Sequence, residues 1–254
     1  MGCSVAHARR KPSRIDQAVV FVGGQGTRLR PITDRVPKPL APVNGVPFLS
    51  YLFQALVDVG IRKILLLAGY KVDQLVRQYG ESLPNGVQIE YSVGTVEDQT
   101  GRRLLNAYSL LDPHFLLLYG DNYWPIALNG MLELFRRSNV AILATVFRNA
   151  RGTGEYGFEN NVEVGAEQMV WRYDRSRKAP GLNGVNIGFF IAQKDTLDPG
   201  LPGNVSFEED ILAGLVQQRQ VTAWVTDVQY YYITDPDSLR RFEAFAAREH
   251  VKHI

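Results

Sequence analysis

The sequence predicts an α/β fold: a mostly parallel, Rossmann-like sheet flanked by helices, with a small β-rich insertion. Three observations predict it. Short β-branched apolar runs alternate with segments whose apolar residues recur at helical spacing. Glycines stand where the first of these runs end, as in Gly23-Gly24 and Gly120. The chain has 254 residues and is 45% hydrophobic, enough for one sizeable core, so length favours one domain.

The elements follow in order. Ala18-Val19-Val20-Phe21-Val22 reads as a buried parallel strand. Residues 47–59 carry Phe48, Leu49, Leu52, Phe53, Leu56 and Val59 at helical spacing, with Pro47 suited to a first turn and Gly60 to the position past the end. Residues 61–68 read as the second strand, 72–79 as a short helix, 87–93 as a strand and 102–111 as a helix. Phe115-Leu116-Leu117-Leu118-Tyr119 is a further strand that ends at Gly120-Asp121. Next come a helix near 128–138, a strand at 140–147, and strand-like pieces at 161–164, 169–173 and 185–191. Helices at 207–217 and 236–248 complete the pattern. The middle third is turn-rich and reads as an insertion on the one sheet rather than a second domain.

Composition excludes several classes. Lysine plus arginine number 28 and aspartate plus glutamate 26, a balance without the basic stripe of a nucleic-acid binder. Arg9, Arg10, Lys11 and Arg14 cluster at the start, and residues 1–16 read as a disordered basic leader before a single domain over 17–254. The one cysteine, Cys3, cannot form an internal disulfide or a multi-cysteine zinc site, which suits a reducing cytoplasm. No apolar run reaches the roughly 18 residues of a membrane span, and the leader holds no apolar signal core. Met-Gly-Cys-Ser invites myristoylation, but Ala6 stands where that pattern takes Ser or Thr.

The chemistry concentrates in Gly23-Gly24-Gln25-Gly26-Thr27-Arg28-Leu29-Arg30-Pro31, directly after the first strand. Ligands of open α/β sheets bind at the carboxyl ends of strands. Glycines there let backbone N–H groups approach phosphate oxygens. Arg28 adds a planar cationic fork, and Lys38, in the stiff Pro37-Lys38-Pro39, a second positive charge. Leu29 stands where a dinucleotide fingerprint needs its last glycine, and the Gly-Lys-Ser/Thr of a Walker loop is absent.

These residues, with Pro37-Lys38-Pro39-Leu40-Ala41-Pro42-Val43, look like the signature of the sugar-1-phosphate nucleotidyltransferases. The likeness runs from about residue 17 to 245 and is closest in style to the short enzymes that activate heptose or mannose 1-phosphate, often with GTP. It implies transfer of a nucleoside monophosphate from a triphosphate to a sugar 1-phosphate, giving a nucleotide sugar and pyrophosphate. Gly23, Gly24, Gly26 and Thr27 would cradle the triphosphate, Arg28 and Lys38 would neutralise it, and Asp121 would hold Mg2+. Gln99-Thr100 lies in the stretch that selects the base, while Gly157, Asp174, Arg175 and Asn186 match sugar-contacting positions. A homo-oligomer is left open.

Two departures stand out. The family's Gly-Thr-Gly-Gly reads Gln99-Thr100-Gly101-Arg102, so Arg102 would crowd or contact the nucleotide. Tyr232 stands where the family carries its second magnesium carboxylate, leaving Asp235 or Asp227 to replace it, or water and phosphates to complete the shell. A regulatory, catalytically weak relative is therefore the alternative reading. CTP, dTTP or ATP in place of GTP is a further one.

Overall fold

The computed structural model describes residues 11–254. Strand β1 (Gln17–Phe21) is followed by a turn of helix, α1 (Ile32–Arg35), and a two-residue ribbon, β2 (Pro42–Val43) and β3 (Val46–Pro47). Next come α2 (Phe48–Asp58), β4 (Lys63–Ala68), α3 (Val72–Tyr79), β5 (Gln88–Val93), α4 (Thr100–Asn106), β6 (His114–Tyr119), β7 (Asn122–Tyr123), α5 (Leu128–Arg137) and β8 (Ile142–Phe147). The hairpin β9 (Val162–Val164) and β10 (Val170–Tyr173) forms the β-rich insertion. The chain closes with β11 (Val185–Gln193), a π-turn over Phe207–Leu212 leading into α6 (Ala213–Gln217), β12 (Val221–Thr226), β13 (Tyr231–Tyr232) and α7 (Pro236–Arg248).

Seven strands form one sheet in the order β12-β8-β11-β6-β1-β4-β5. All neighbours are parallel except β11, which runs antiparallel to both β8 and β6. Both faces are covered, which is why the central strands read as continuous apolar runs rather than alternating ones. Along β6, Leu116 and Leu118 enter the core on one face with Leu52, Phe53 and Leu66. Phe115 and Leu117 enter the other with Phe190 and Phe207. A third apolar cluster, centred on Phe48, Tyr51 and Phe242, fastens α7 against α2.

The expected strands and helices are present, with differences at three places. The expected 102–111 helix starts at Thr100, breaks after Asn106 and continues as a 3-10 turn over Tyr108–Leu110. Residues 207–217 begin as a π-turn, a local widening that recurs at functional sites. Strand β12, Val-Thr-Ala-Trp-Val-Thr, is the edge strand that the periodicity reading passed over, although its β-branched content was a usable signal.

Residues 1–10 of the expected leader lie outside the described residues. Within 11–16, Ile15 is buried, Lys11 Nζ donates to Val140 O at 2.7 Å, and Asp16 O accepts from the Arg62 and Lys63 amides, while Ser13 and Arg14 are exposed. Among the described residues no helix is long and apolar enough to cross a membrane.

Candidate active site

Strands β1 and β6 lie side by side and parallel, so the segments leaving their carboxyl ends meet. The meeting is close. Gly120 N donates to Phe21 O at 3.0 Å, and a Cβ on Gly120 would stand 2.7 Å from Val22 Cγ1 and 2.9 Å from Phe21 O. Only glycine fits there, and Asp121 is thereby fixed beside the glycine-rich loop. Within the loop, Gly26 adopts φ +64°, and a Cβ on it would meet Lys38 Cβ at 2.9 Å and Thr33 Cγ2 at 3.0 Å. Its glycine is required for both conformation and space.

Across the loop, Lys38 Nζ donates to Asp121 Oδ2 at 2.6 Å. Lys38 is held for this by a 3-10 turn, Lys38–Leu40, that Pro37 and Pro39 stiffen. Its side chain is 12% exposed, so the pair is shielded far more than a surface ion pair. Arg28 points elsewhere: its Nη1 donates to Tyr156 Oη at 3.4 Å and lies 3.6 Å from Glu155 Oε1. Burial lowers the Arg28 pKa, but the Tyr156 hydrogen bond and the charges of Tyr156, Glu155 and Asp121 outweigh it, and the net shift is upward.

These groups open onto a cleft of about 450 Å³ at the carboxyl ends of the strands. Gly23, Gly24, Gly26, Thr27, Arg28, Lys38, Gln99, Thr100, Asp121 and Arg175 all line it. Gln99 and Thr100 are positioned by the segment that leads into the π-turn. The Gln99 amide donates to Asn204 Oδ1 at 2.7 Å, and Thr100 Oγ1 accepts from the Phe207 amide at 3.0 Å. Arg175 reaches the cleft from the end of β10 and pairs with Glu209.

Three expected residues are not brought to the cleft. The Asp174 carboxylate is consumed by its own turn, accepting from Ser176, Lys178 and Ala179, bonds that hold its pKa down at about 2. Gly157 lines a neighbouring cavity of about 520 Å³ with Tyr230, Tyr232 and Arg241. Asn186 stands one layer back, its amide reaching Glu208 Oε1 at 3.4 Å.

The two sequence departures resolve physically. Arg102 turns away from the cleft, donating to the Gly203 and Leu201 carbonyls, and is not among the residues that line it. Tyr232 is buried and faces the neighbouring cavity, its hydroxyl accepting from Arg241 Nη2 at 3.0 Å. Neither aspartate replaces it: Asp235 caps α7 and Asp227 pairs with Arg148 on the surface.

Sequence reasoning missed several cleft residues, Arg103 and Glu208 among them. Arg103 sits under the glycine-rich loop, where a Cβ on Gly23 would collide with its guanidinium. It donates to Ala68 O (2.7 Å), Thr95 O (2.6 Å) and Gly23 O (3.3 Å), stitching together the ends of β1, β4 and β5. Burial lowers its pKa, while Asp98 and Glu97 pull the other way. The second is Glu208, at the start of the π-turn, whose carboxyl is pushed up by burial against the opposing pull of Tyr173 and Arg175. In the sequence, one looks like an ordinary helix arginine and the other like an acidic first turn.

Comparison with known proteins identifies the family. Residues 17–173 match the nucleotidyl transferase family. The D-glycero-alpha-D-manno-heptose 1-phosphate guanylyltransferases of Aneurinibacillus thermoaerophilus and Campylobacter jejuni are 26% and 29% identical, each over 89% of this chain and 96% and 98% of their own. A Mycobacterium tuberculosis mannose-1-phosphate guanylyltransferase is 30% identical over 78% of this chain and 55% of its own. Among solved structures, HddC from Yersinia pseudotuberculosis superposes with a TM-score of 0.74 at 22% identity, over 91% of this chain and 99% of that one. A glycine-rich turn and an aspartate at adjacent strand ends, in a chain matched over most of its sheet, lead to one assignment: the protein belongs to the nucleotidyl transferase family.

Proposed function

We propose that the protein transfers guanosine monophosphate from GTP to a heptose or mannose 1-phosphate, releasing pyrophosphate. The observation that carries the reading is the convergence of the Gly23–Arg28 loop, Lys38 and Asp121 on one cleft. GTP and the sugar class are taken from the guanylyltransferases that the chain resembles over most of its length.

A sugar 1-phosphate is already a nucleophile, so no side chain need be activated as a base. Its phosphate oxygen attacks the α-phosphorus. The bond between that phosphorus and the bridging oxygen breaks, and the electron pair leaves with pyrophosphate. The protein's task is to bring two anions together and to spread the charge that develops. Positioning supplies on the order of 7–11 kcal/mol in favourable cases, and preorganised cations act on the rest. The loop amides hold the phosphates, Lys38 and Arg28 neutralise them, and Arg175 meets the incoming sugar phosphate. Asp121 suits a hard cation, since a single carboxylate together with phosphate oxygens is a common magnesium donor set and its oxygen already holds an ammonium. Magnesium bound there would neutralise phosphate charge.

Pyrophosphate release, measured over a grid of nucleoside triphosphates and sugar 1-phosphates with magnesium, tests the proposal. Release with GTP and one heptose or mannose 1-phosphate is the expected result. Silence across the grid from folded protein refutes it and favours a regulatory nucleotide-sugar-binding role.

A further inference from the structure

We infer that Asp98 selects the base: its carboxylate accepts the paired N–H donors of guanine, on the same cleft that the glycine-rich loop lines. The inference rests on the proposed nucleotidyl transfer and gives the choice of GTP a residue of this chain.

The sheet order sets the spacing. The glycine-rich loop follows β1, and Val96 and Asp98 follow β5, with β4 between the two strands. Two strand spacings, about 10 Å, therefore separate the end of β1 from the end of β5. That interval is kept free of side chains. Strands β1, β4 and β5 leave the sheet through Gly23, Gly69 and Gly94, and a Cβ on these would stand 2.4, 2.5 and 3.2 Å from a single atom, Arg103 Nη1. The three glycines make a bare backbone ledge over one guanidinium, leading from the phosphate loop toward Asp98. A ribose and a flat base fit along such a ledge once the phosphates are held at its other end.

Asp98 and Val96 close the far end, and both line the cleft. A Cβ on Gly94 would stand 2.5 Å from Asp98 Oδ2, so the carboxylate fills the room that a side chain at position 94 would take. The Thr95 amide donates to the same oxygen at 2.9 Å and fixes its direction. Among the described residues, Asp98 Oδ1 accepts no hydrogen bond and the carboxylate makes no ion pair. Beside it Val96 is 38% exposed, an apolar surface for the face of a base whose edge meets the acid.

The chemistry of the edge then decides the base. A carboxylate accepts hydrogen bonds and donates none. Guanine presents N1–H and N2–H side by side on its Watson–Crick edge, matching two carboxylate oxygens. Adenine and cytosine each set an amino group beside a bare ring nitrogen, and uracil and thymine set one N–H between two carbonyls. Each of these turns a lone pair toward the acid, which leaves acceptor facing acceptor.

The alternative role for Asp98 is only to shape its own turn, and base analogues separate the two. Dissociation constants for GTP, ITP, XTP and ATP, measured by calorimetry without sugar 1-phosphate, are compared for wild type and Asp98→Asn. ITP lacks the 2-amino group, and XTP carries a carbonyl in its place. Asparagine keeps one oxygen for the Thr95 amide and presents N–H donors in place of the other. Wild type is expected to prefer GTP to the other three. Asp98→Asn is expected to bind GTP about tenfold to a hundredfold more weakly and to bind XTP more tightly than wild type does. A GTP preference left intact in Asp98→Asn, or equal weakening of all four nucleotides, overturns the inference and leaves the proposed transfer standing. Binding of none of the four by folded wild type overturns both, so the two failures are distinguishable.

Discussion

Replacing Arg103 with methionine removes the guanidinium that joins three strand ends while keeping most of the side-chain volume. The magnitude follows from its partners. Hydrogen bonds from a charged donor contribute roughly 1.5–3 kcal/mol each, and Arg103 makes close ones to Ala68 O and Thr95 O and a longer one to Gly23 O. Two effects reduce the sum. Ala68 O and Gly23 O keep amide donors, Gly94 N at 3.0 Å and Tyr70 N at 3.2 Å, so the substitution does not orphan them. Burying a guanidinium without a close carboxylate also costs desolvation, which the lowered Arg103 pKa registers. The net expectation is a loss of about 2 kcal/mol for methionine and about 3 kcal/mol for alanine, which adds a cavity. For a chain of this size the methionine loss lowers Tm by roughly 4–8 °C. Urea unfolding at neutral pH measures the stability, and nucleotide titration should show weaker binding because Gly23 and Thr95 lose their tether. A stability change below about 0.5 kcal/mol, within the range of ordinary surface substitutions, would refute the view that the guanidinium ties the strand ends.

The remaining expectations concern single groups. Arg28→Ala should cut turnover by about a hundredfold or more, as loss of a preorganised charge does. Its Tm should hardly move, since the side chain is 63% exposed, and a matching loss of fold in the melting curve would sink the catalytic reading. Gly101→Ala should destabilise by about 2–3 kcal/mol, an overpacking cost, because its Cβ would stand 2.7 Å from Val205 O and 2.9 Å from Ser206 C; wild-type urea behaviour would show that α4 can shift freely. Asp235 caps α7 in a capping box with Ser238, and Asp235→Ala should cost about 1 kcal/mol. Those amide bonds hold its carboxyl below the ordinary 3.8, so its contribution is complete above that value and disappears as pH falls through the lower folded one. Wild type and Asp235→Ala should therefore differ at pH 7 and converge in strong acid, and a gap that persists there would contradict the assignment.

What was legible in the sequence divides along a physical line. Strands buried on both faces must be apolar throughout, so β1, β4 and β6 announce themselves as runs such as Ile64-Leu65-Leu66-Leu67. The phosphate loop is equally visible, because backbone conformation at Gly26 and close approach at Gly120 each demand glycine. Edge strand β12, with polar threonines facing inward, carries a weaker signature. Residues whose role depends on which neighbour lies across the sheet leave no local trace. Arg102 and Arg103 are adjacent and chemically identical, yet the 3.6-residue helical period turns one to the Leu201 and Gly203 carbonyls and the other under the phosphate loop.

The same distinction bears on the missing carboxylate. A motif is read position by position, so a tyrosine at position 232 looks like decay of the site. The structure shows what the tyrosine does instead: it faces the neighbouring cavity, where its hydroxyl accepts from Arg241. Glu155 lies on that same cavity, its amide donating to Tyr230 Oη and its carboxylate accepting from Thr234 Oγ1 beside Arg28. A site that had decayed would be free to lose Lys38, Arg28 and Asp121 as well. All three remain on one cleft, with Lys38 paired to Asp121 and Arg28 beside Glu155. The retention of both cations at the cleft is understandable if a polyanion enters it.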